Sequence, residues 1–220
     1  MASAIRLFLP FSLLVIFFLA IHITLSNAQN TTEDIINKIC RSVEDYGFCK
    51  QTFEDNLLSP VANIVDLTHI TILQSSSNAT NTLDFIRHLL GNMTTDDDDV
   101  ALKNALTECE NAYRVLARSF QNAFLFFNSK DYDSVLFVER STPRVQASCT
   151  STFNTPPNPF NPLDERNRQM RILITMAVVA ATELTSSSIN AFYVLGIYKL
   201  FINGRIKYYY SFISRTILSS

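Results

Sequence analysis

Side chains that commonly act as acids, bases or metal ligands are scarce in this sequence of 220 residues. After the apolar N-terminal segment only two histidines remain, His69 and His88, and one predicted helix carries both. At the rise of an α-helix they lie roughly 28 Å apart, so they cannot share a site. The sequence also has no nucleophile elbow, phosphate-binding loop or dinucleotide-binding motif. We therefore predict a protein that is not an enzyme and that uses no cofactor or metal ion.

The N-terminus has the pattern of a secretory signal peptide. Arg6 precedes an apolar run over residues 7–23, and the small residues Ser26 and Ala28 follow that run. A membrane span needs about 20 apolar residues, so the shorter run makes a retained anchor the weaker alternative. We predict that residues 1–28 are removed and that the mature chain is secreted.

Export changes the chemistry expected of two further residue types. In an oxidising compartment an even number of cysteines predicts disulfides rather than thiol catalysis or a zinc site. The four cysteines are Cys40, Cys49, Cys109 and Cys149. Pairing the first with the second and the third with the fourth is one of three possible connectivities. Three Asn-x-Thr tripeptides are candidate glycosylation sites, at Asn30, Asn78 and Asn92.

Composition favours a helical protein. Only four of the 220 residues are glycine, which argues against folds with many tight turns, such as β-sandwiches, barrels and dinucleotide-binding domains. The net charge of −2 gives no indication of nucleic-acid binding. Residues 29–186 carry 13 basic and 20 acidic side chains, whereas residues 187–220 carry four basic and no acidic ones. We interpret this basic, aromatic C-terminal segment as a poorly packed extension, with a surface-binding appendage as the alternative.

Apolar residues recur at helical spacing in four long segments. The segments are 59–91, 99–128, 131–153 and 161–186. Four amphipathic helices with short connections form an antiparallel four-helix bundle. Residues 29–58 are too short for a fifth long helix, and we expect two short helices there, folded as a hairpin. The predicted fold is therefore all-α, a bundle over 59–186 preceded by an N-terminal helical hairpin.

Local signals predict where these helices begin, bend and break. The first long helix is expected to begin at Ser59-Pro60, and its polar stretch at 74–81 favours a break into two. Pro143 lies inside the third helix and predicts a kink near Ser141, because proline cannot donate a backbone hydrogen bond. Asn161 precedes a proline and two acids, which is typical of an N-cap.

Four features of the sequence occur together and in order. They are the Cys40 to Cys49 spacing, Ala101–Leu116 around Cys109, Asp131–Val135 leading to Cys149, and Asn161–Asn167 at the start of the last helix. In these features the chain resembles the plant invertase and pectin methylesterase inhibitor family, over about residues 35–186. The resemblance implies a helical hairpin on a four-helix bundle, disulfides Cys40–Cys49 and Cys109–Cys149, and non-catalytic inhibition of a cell-wall enzyme in the apoplast.

The two branches of that family differ in target. Invertase inhibitors typically carry Pro-Lys-Phe just before the helix that holds the third cysteine, where this chain has Asp98-Asp99-Val100-Ala101-Leu102. We therefore expect pectin methylesterase to be the protein partner, with invertase as the alternative. A third hypothesis is a non-inhibitory secreted helical protein that binds wall polymer or lipid through residues 187–220.

The partner is expected to meet the polar side of the helix over 99–128. An inhibitor without catalytic residues acts by covering a substrate groove, and a specific interface buries about 1,600 Å². The candidate contact residues are Lys103, Asn104, Thr107, Glu108, Asn111, Arg114, Arg118 and Gln121. A merely solvated helix face would carry the same residue types.

Overall fold

The computed structural model describes residues 31–93, 100–156 and 159–202. The described residues form six helices and no strand, namely α1 (Thr32–Cys40), α2 (Tyr46–Glu54), α3 (Ile64–Gly91), α4 (Val100–Asn128), α5 (Tyr132–Phe153) and α6 (Asp164–Ile202). Each of α3 to α6 packs against two of the others, in the order α3, α4, α5, α6 and back to α3. This confirms the predicted all-α class with an antiparallel four-helix bundle. The predicted signal peptide and Asn30 lie outside the described residues.

The centre of the bundle is a single apolar cluster to which all four long helices contribute. Leu106, Leu116 and Phe120 of α4 are at most 1% exposed and pack with Ile86 of α3 and Met170 of α6. They belong to the inward stripe of α4 that the apolar spacing predicts. The Cys109–Cys149 disulfide joins α4 to α5 within this cluster.

The two short helices form the predicted hairpin and cover one side of the bundle. The Cys40–Cys49 disulfide links them, so both disulfides follow the expected pairing. Ile36, Ile39 and Phe53 are buried against α3 and α6. Burial of such side chains, about 1.5–3 kcal/mol each, is what holds a hairpin too short to be stable alone.

Ion pairs between the hairpin and α6 supplement this packing. The three pairs are Lys38–Glu183 (2.6 Å), Arg171–Glu44 (2.7 Å) and Arg168–Asp45 (3.0 Å). Asp45 also caps α2, since its side chain accepts a hydrogen bond from the backbone N–H of Phe48. That bond and the Arg168 guanidinium lower the pKa of Asp45. The pairs lie at the surface, where their main effect is on orientation rather than on stability.

The first long helix differs from its prediction at its start and in its middle. α3 begins at Ile64, not at Ser59-Pro60, because Asn63 caps it and the Asp66 side chain completes a capping box. The predicted break at 74–81 was wrong, since α3 is continuous to Gly91. Its polar residues are accommodated against α6, where Ser75 Oγ donates to a backbone carbonyl at 3.4 Å.

Pro143 lies inside one continuous helix, α5, and the kink near Ser141 stays a prediction. Proline has no N–H, so the carbonyl of Glu139 loses its helical partner. The hydroxyl of Thr142 donates to that carbonyl instead, at 2.7 Å. The ring itself lies on the exposed side of α5. A buried hydroxyl therefore compensates for the missing backbone bond.

The last helix begins later and ends later than its sequence pattern suggested. Asn161 Oδ1 accepts the N–H of Leu163, and helical bonding starts when Asn167 donates to the carbonyl of Leu163 at 2.7 Å. Asn161 thus forms a turn before α6 rather than its N-cap. At its other end α6 runs on to Ile202, past the predicted domain boundary at residue 186.

One stretch of α6, Asp164–Ser187, is long and apolar enough to cross a membrane by length and composition, with a mean hydropathy of 1.2. More than half of its window, 56%, is buried inside the bundle. Core helices of globular domains pass the same test, and the burial identifies this stretch as one of them.

Candidate functional site

All eight predicted contact residues of α4 are exposed, opposite its buried stripe. Four of them have neighbours that the structure shows, in two groups. Arg114 and Asn111 are bonded to each other on α4, whereas Asn104 and Glu108 line a cavity shared with α5.

The first group leans toward α3 and is partly engaged. Arg114 Nη2 lies 2.8 Å from Glu110 Oε1, and Arg87 of α3 lies 3.3 Å from the same oxygen. The hydrogen bond from Arg114, with that from Arg87, lowers the pKa of Glu110. Arg114 also donates to Asn111 Oδ1 at 3.2 Å. Two of the predicted contact residues therefore already have partners within the chain.

The second group lies beside α5. Asn104 and Glu108 line a cavity of about 260 Å³, whose other walls include Thr152 and Thr155 at the end of α5. Alternating steps of four and three residues from Asn104 define an outward stripe of α4 that begins beside α5 and includes Asn111 of the first group. The stripe so defined is Asn104, Glu108, Asn111, Val115, Arg118 and Asn122, and every member is exposed.

A matching exposed stripe runs along α5. It consists of Asp133, Phe137, Arg140 and Arg144. The Cys109–Cys149 disulfide sets the register of the two antiparallel helices. Arg118 follows Cys109 by nine residues and Arg140 precedes Cys149 by nine, so the two arginines stand at the same level. We call the two stripes together the α4–α5 face.

The middle of the α4–α5 face is cationic and partly apolar. Arg118, Arg140 and Arg144 make no ion pair with any residue that the structure describes. Phe137 is 79% exposed and Val115 is 49% exposed. Phe137 borders a cavity of about 440 Å³ that Arg140 also lines. Exposed aromatic and arginine side chains together are typical of the residues that dominate binding energy in protein interfaces.

Buried hydrogen bonds hold the two helices of the α4–α5 face in place. Tyr113 Oη of α4 donates to Asn167 Oδ1 of α6 at 2.9 Å, and Gln146 Nε2 of α5 donates to the backbone carbonyl of Asn167 at 3.3 Å. Burial raises the pKa of Tyr113, so its hydroxyl stays a donor. Both helices of the face are thus tied to α6 as well as to each other. A surface held in this way loses little conformational freedom on binding.

The histidines do not build a catalytic site. His69 is stacked between helices against Phe127 and Phe124, with ring centroids 5.1 and 5.8 Å apart. His88 is exposed one turn before the end of α3, beside Asn92. Across the described ranges no cluster of three or more His, Cys, Asp or Glu side chains could hold a metal ion.

The two described glycosylation sequons differ in accessibility. Asn92 is exposed at the C-cap of α3. Asn78 is half-buried in the middle of α3, where its Nδ2 lies 3.5 Å from Gln169 Oε1 and its Oδ1 is buried. The nitrogen that a glycan would occupy therefore faces α6.

Comparison with known proteins gives one consistent family. The family model described as plant invertase/pectin methylesterase inhibitor matches residues 34–189. A similar protein is the "Cell wall / vacuolar inhibitor of fructosidase 2" of Arabidopsis thaliana, 25% identical over 157 residues that make up 71% of this chain and 86% of the relative.

Two solved structures have a similar fold. One is a mutant form of a pectin methylesterase inhibitor from Arabidopsis, with a TM-score of 0.57 and 17% identity over 67% of this chain and 95% of the other. The second, a pectin methylesterase inhibitor from Arabidopsis thaliana, has a TM-score of 0.50 and 16% identity over 69% and 96% of the two chains. At these identities the likeness concerns the fold.

Proposed function

Because the chain belongs to the plant invertase/pectin methylesterase inhibitor family, we propose that it is a secreted inhibitor of pectin methylesterase that covers the enzyme's substrate groove with its α4–α5 face. The Arabidopsis thaliana relative is an inhibitor of fructosidase, which supports a binding role. The observation that carries the assignment of the face is its exposed centre, where Phe137 and Arg140 line one cavity and where Arg118, Arg140 and Arg144 have no ion-pair partner among the described residues.

The dimensions of the α4–α5 face suit such a role. α5 has 22 residues and is therefore about 33 Å long. Two adjacent helices are about 20 Å wide, so the face offers roughly 660 Å². A specific interface of standard size uses about 800 Å² of each partner. The α4–α5 face supplies most of that area without help from the hairpin.

Two features favour pectin methylesterase as the target. The stripe of α4 carries the amides of Asn104, Asn111 and Asn122, which both donate and accept hydrogen bonds. A groove that binds a polysaccharide presents such donors and acceptors to sugar hydroxyls, and amides can satisfy them in place of the sugar. The segment at 98–102 also lacks the Pro-Lys-Phe of the invertase branch.

Invertase is the second candidate, and separate observations favour it. The relative named above is an inhibitor of fructosidase. Glycoside hydrolases act through a pair of carboxyl groups, and the guanidinium groups of Arg118, Arg140 and Arg144 are suited to meet carboxylates. The same face would then serve a different enzyme.

The test is a titration of both purified enzymes with the mature protein. We expect pectin methylesterase activity to fall to a stoichiometric end point while invertase keeps its activity. Inhibition of invertase alone would show that the second candidate is correct, and inhibition of neither would refute the proposed function. Arg140→Glu should weaken the inhibition, whereas Arg41→Glu, an exposed arginine of the hairpin side, serves as the matched control and should not.

A further inference from the structure

Glu139 of α5 places a carboxyl group inside the bundle without a partner. Its side chain is 0% exposed. Neither Oε1 nor Oε2 has a hydrogen-bond partner among the described residues. An ionised carboxylate in such a place is strongly disfavoured, whereas a neutral carboxylic acid can be accommodated.

The inward residues of α5 that precede Glu139 are apolar, and those that follow it are uncharged. One turn earlier, Val135 packs with Ala123 and Ala181. Toward the C-terminus the next inward residues are Thr142 and Gln146, which are buried and neutral. No basic residue of α5 shares this inward side, since Arg140 and Arg144 are exposed.

The ionisable groups of the neighbouring helices are directed elsewhere. On α4 the buried ionisable side chain is Tyr113, which is bonded to α6. On α6 Glu183 pairs with the hairpin through Lys38, and on α3 His69 stacks against aromatic rings of α4. The remaining charged side chains of these helices are exposed or half-exposed. In the described part of the chain no cation is placed to stabilise an ionised Glu139.

The backbone of α5 also lacks one hydrogen bond at this point. Pro143 removes the helical hydrogen bond to the carbonyl of Glu139, and the hydroxyl of Thr142 donates to that carbonyl instead. The carboxyl of Glu139 therefore belongs to the turn of α5 that the proline alters.

We propose that Glu139 makes the stability of the bundle depend on pH, because its buried, unpartnered carboxyl carries a proton in the folded protein and gives it up when the chain unfolds. Phe137 and Arg140 lie within one turn of Glu139. The inference concerns folding and does not depend on which enzyme the face binds.

The direction and range of the effect follow from the two states of the carboxyl. Burial raises the pKa of Glu139 from 4.5 to about 8. Between these values the folded protein holds the proton and the unfolded chain does not, so stability falls as pH rises. The folding equilibrium constant should decrease by up to about tenfold for each pH unit in that window. Below pH 4.5 both states are protonated, and Glu139 then contributes no pH dependence.

The experiment compares denaturant unfolding of the wild-type protein, Glu139→Gln and Glu108→Gln at several pH values from 4.5 to 8. Glutamine keeps the size of the side chain and cannot ionise, and Glu108 is an exposed glutamate that serves as the control. We expect the folding equilibrium constant of Glu139→Gln, divided by that of the wild type, to increase by up to about tenfold for each unit by which the pH rises. Glu108→Gln should follow the wild type. Parallel curves for the wild type and Glu139→Gln would overturn the proposal.

A second measurement covers the case in which Glu139→Gln does not fold. At about pH 6.5 exposed carboxyl groups are ionised, so the infrared carbonyl band of a protonated carboxylic acid should report Glu139 alone in the wild-type protein. We expect a band of about one carboxyl group per molecule that disappears when the protein is unfolded at the same pH. Absence of the band in the folded protein would overturn the proposal.

Discussion

Replacement of Phe137 by alanine tests the α4–α5 face at its most exposed aromatic residue. The Phe137 side chain is 79% exposed and belongs to none of the three apolar clusters. Its removal should therefore change the free energy of unfolding by no more than about 0.5 kcal/mol. Any larger loss of inhibition would then reflect lost contact with the enzyme and not a loss of folded protein.

The size of the expected loss follows from the area that the ring can bury. A phenylalanine buries about 150–250 Å², and 79% exposure leaves roughly 150 Å² of it available to a partner. At about 25 cal/mol per Å² this sets a ceiling of about 4 kcal/mol. Side chains that dominate an interface lose about 2 kcal/mol or more on truncation. We expect the inhibition constant to rise by at least about 30-fold.

The assay is inhibition of the target enzyme by increasing amounts of the wild-type protein, Phe137→Ala and Leu58→Ala. Leu58 is fully exposed in the connection between α2 and α3 and controls for removal of an apolar side chain away from the face. Unchanged inhibition by Phe137→Ala would refute the assignment of the face. Equal losses in the two variants would show that exposed apolar area alone, and not its place, matters.

Three further predictions concern stability and modification. Tyr113→Phe leaves the buried oxygen of Asn167 without its donor and should lower the free energy of unfolding by about 1–3 kcal/mol in a denaturant titration; an unchanged midpoint would contradict this. Asp45 has a lowered pKa because a backbone N–H of α2 and a guanidinium of α6 hold its carboxylate. The stability it adds is present above its unfolded pKa of 3.8 and is lost as pH falls through the lower folded value, so Asp45→Asn should show less acid destabilisation than the wild type. Asn92→Gln should lower the intact mass of the secreted protein by one glycan, whereas Asn78→Gln should leave the number of glycans unchanged. The reverse pattern would show that α3 is accessible at Asn78.

The fold was predictable where one physical signal acted alone. The inward stripe of α4 follows from helical periodicity, and the four cysteines of a chain with a predicted signal peptide predicted both disulfides once the family resemblance selected their pairing. The break expected at 74–81 failed because local polarity says nothing about partners on another helix. Ser75, for example, donates to α6.

Only half of the proposed contact surface could be predicted from the sequence. Residues of α4 such as Arg118 could be chosen from one regular pattern, and the structure places them on the surface. The stripe of α5 with Phe137 and Arg140 was missed, although its steps of four and three residues are visible in the sequence. Pro143 obscured that pattern, because a proline inside a helix argues for a bend. The bond from Thr142 that keeps the helix continuous is a tertiary detail of a buried hydroxyl.

Amide hydrogen exchange of the protein, alone and bound to its target enzyme, tests the contact surface most directly. If the α4–α5 face covers the substrate groove, exchange should slow in peptides from α4 and α5, while peptides from α3, α6 and the hairpin keep their rates. Slower exchange in α3, α6 or the hairpin, with α4 and α5 unchanged, would contradict the account.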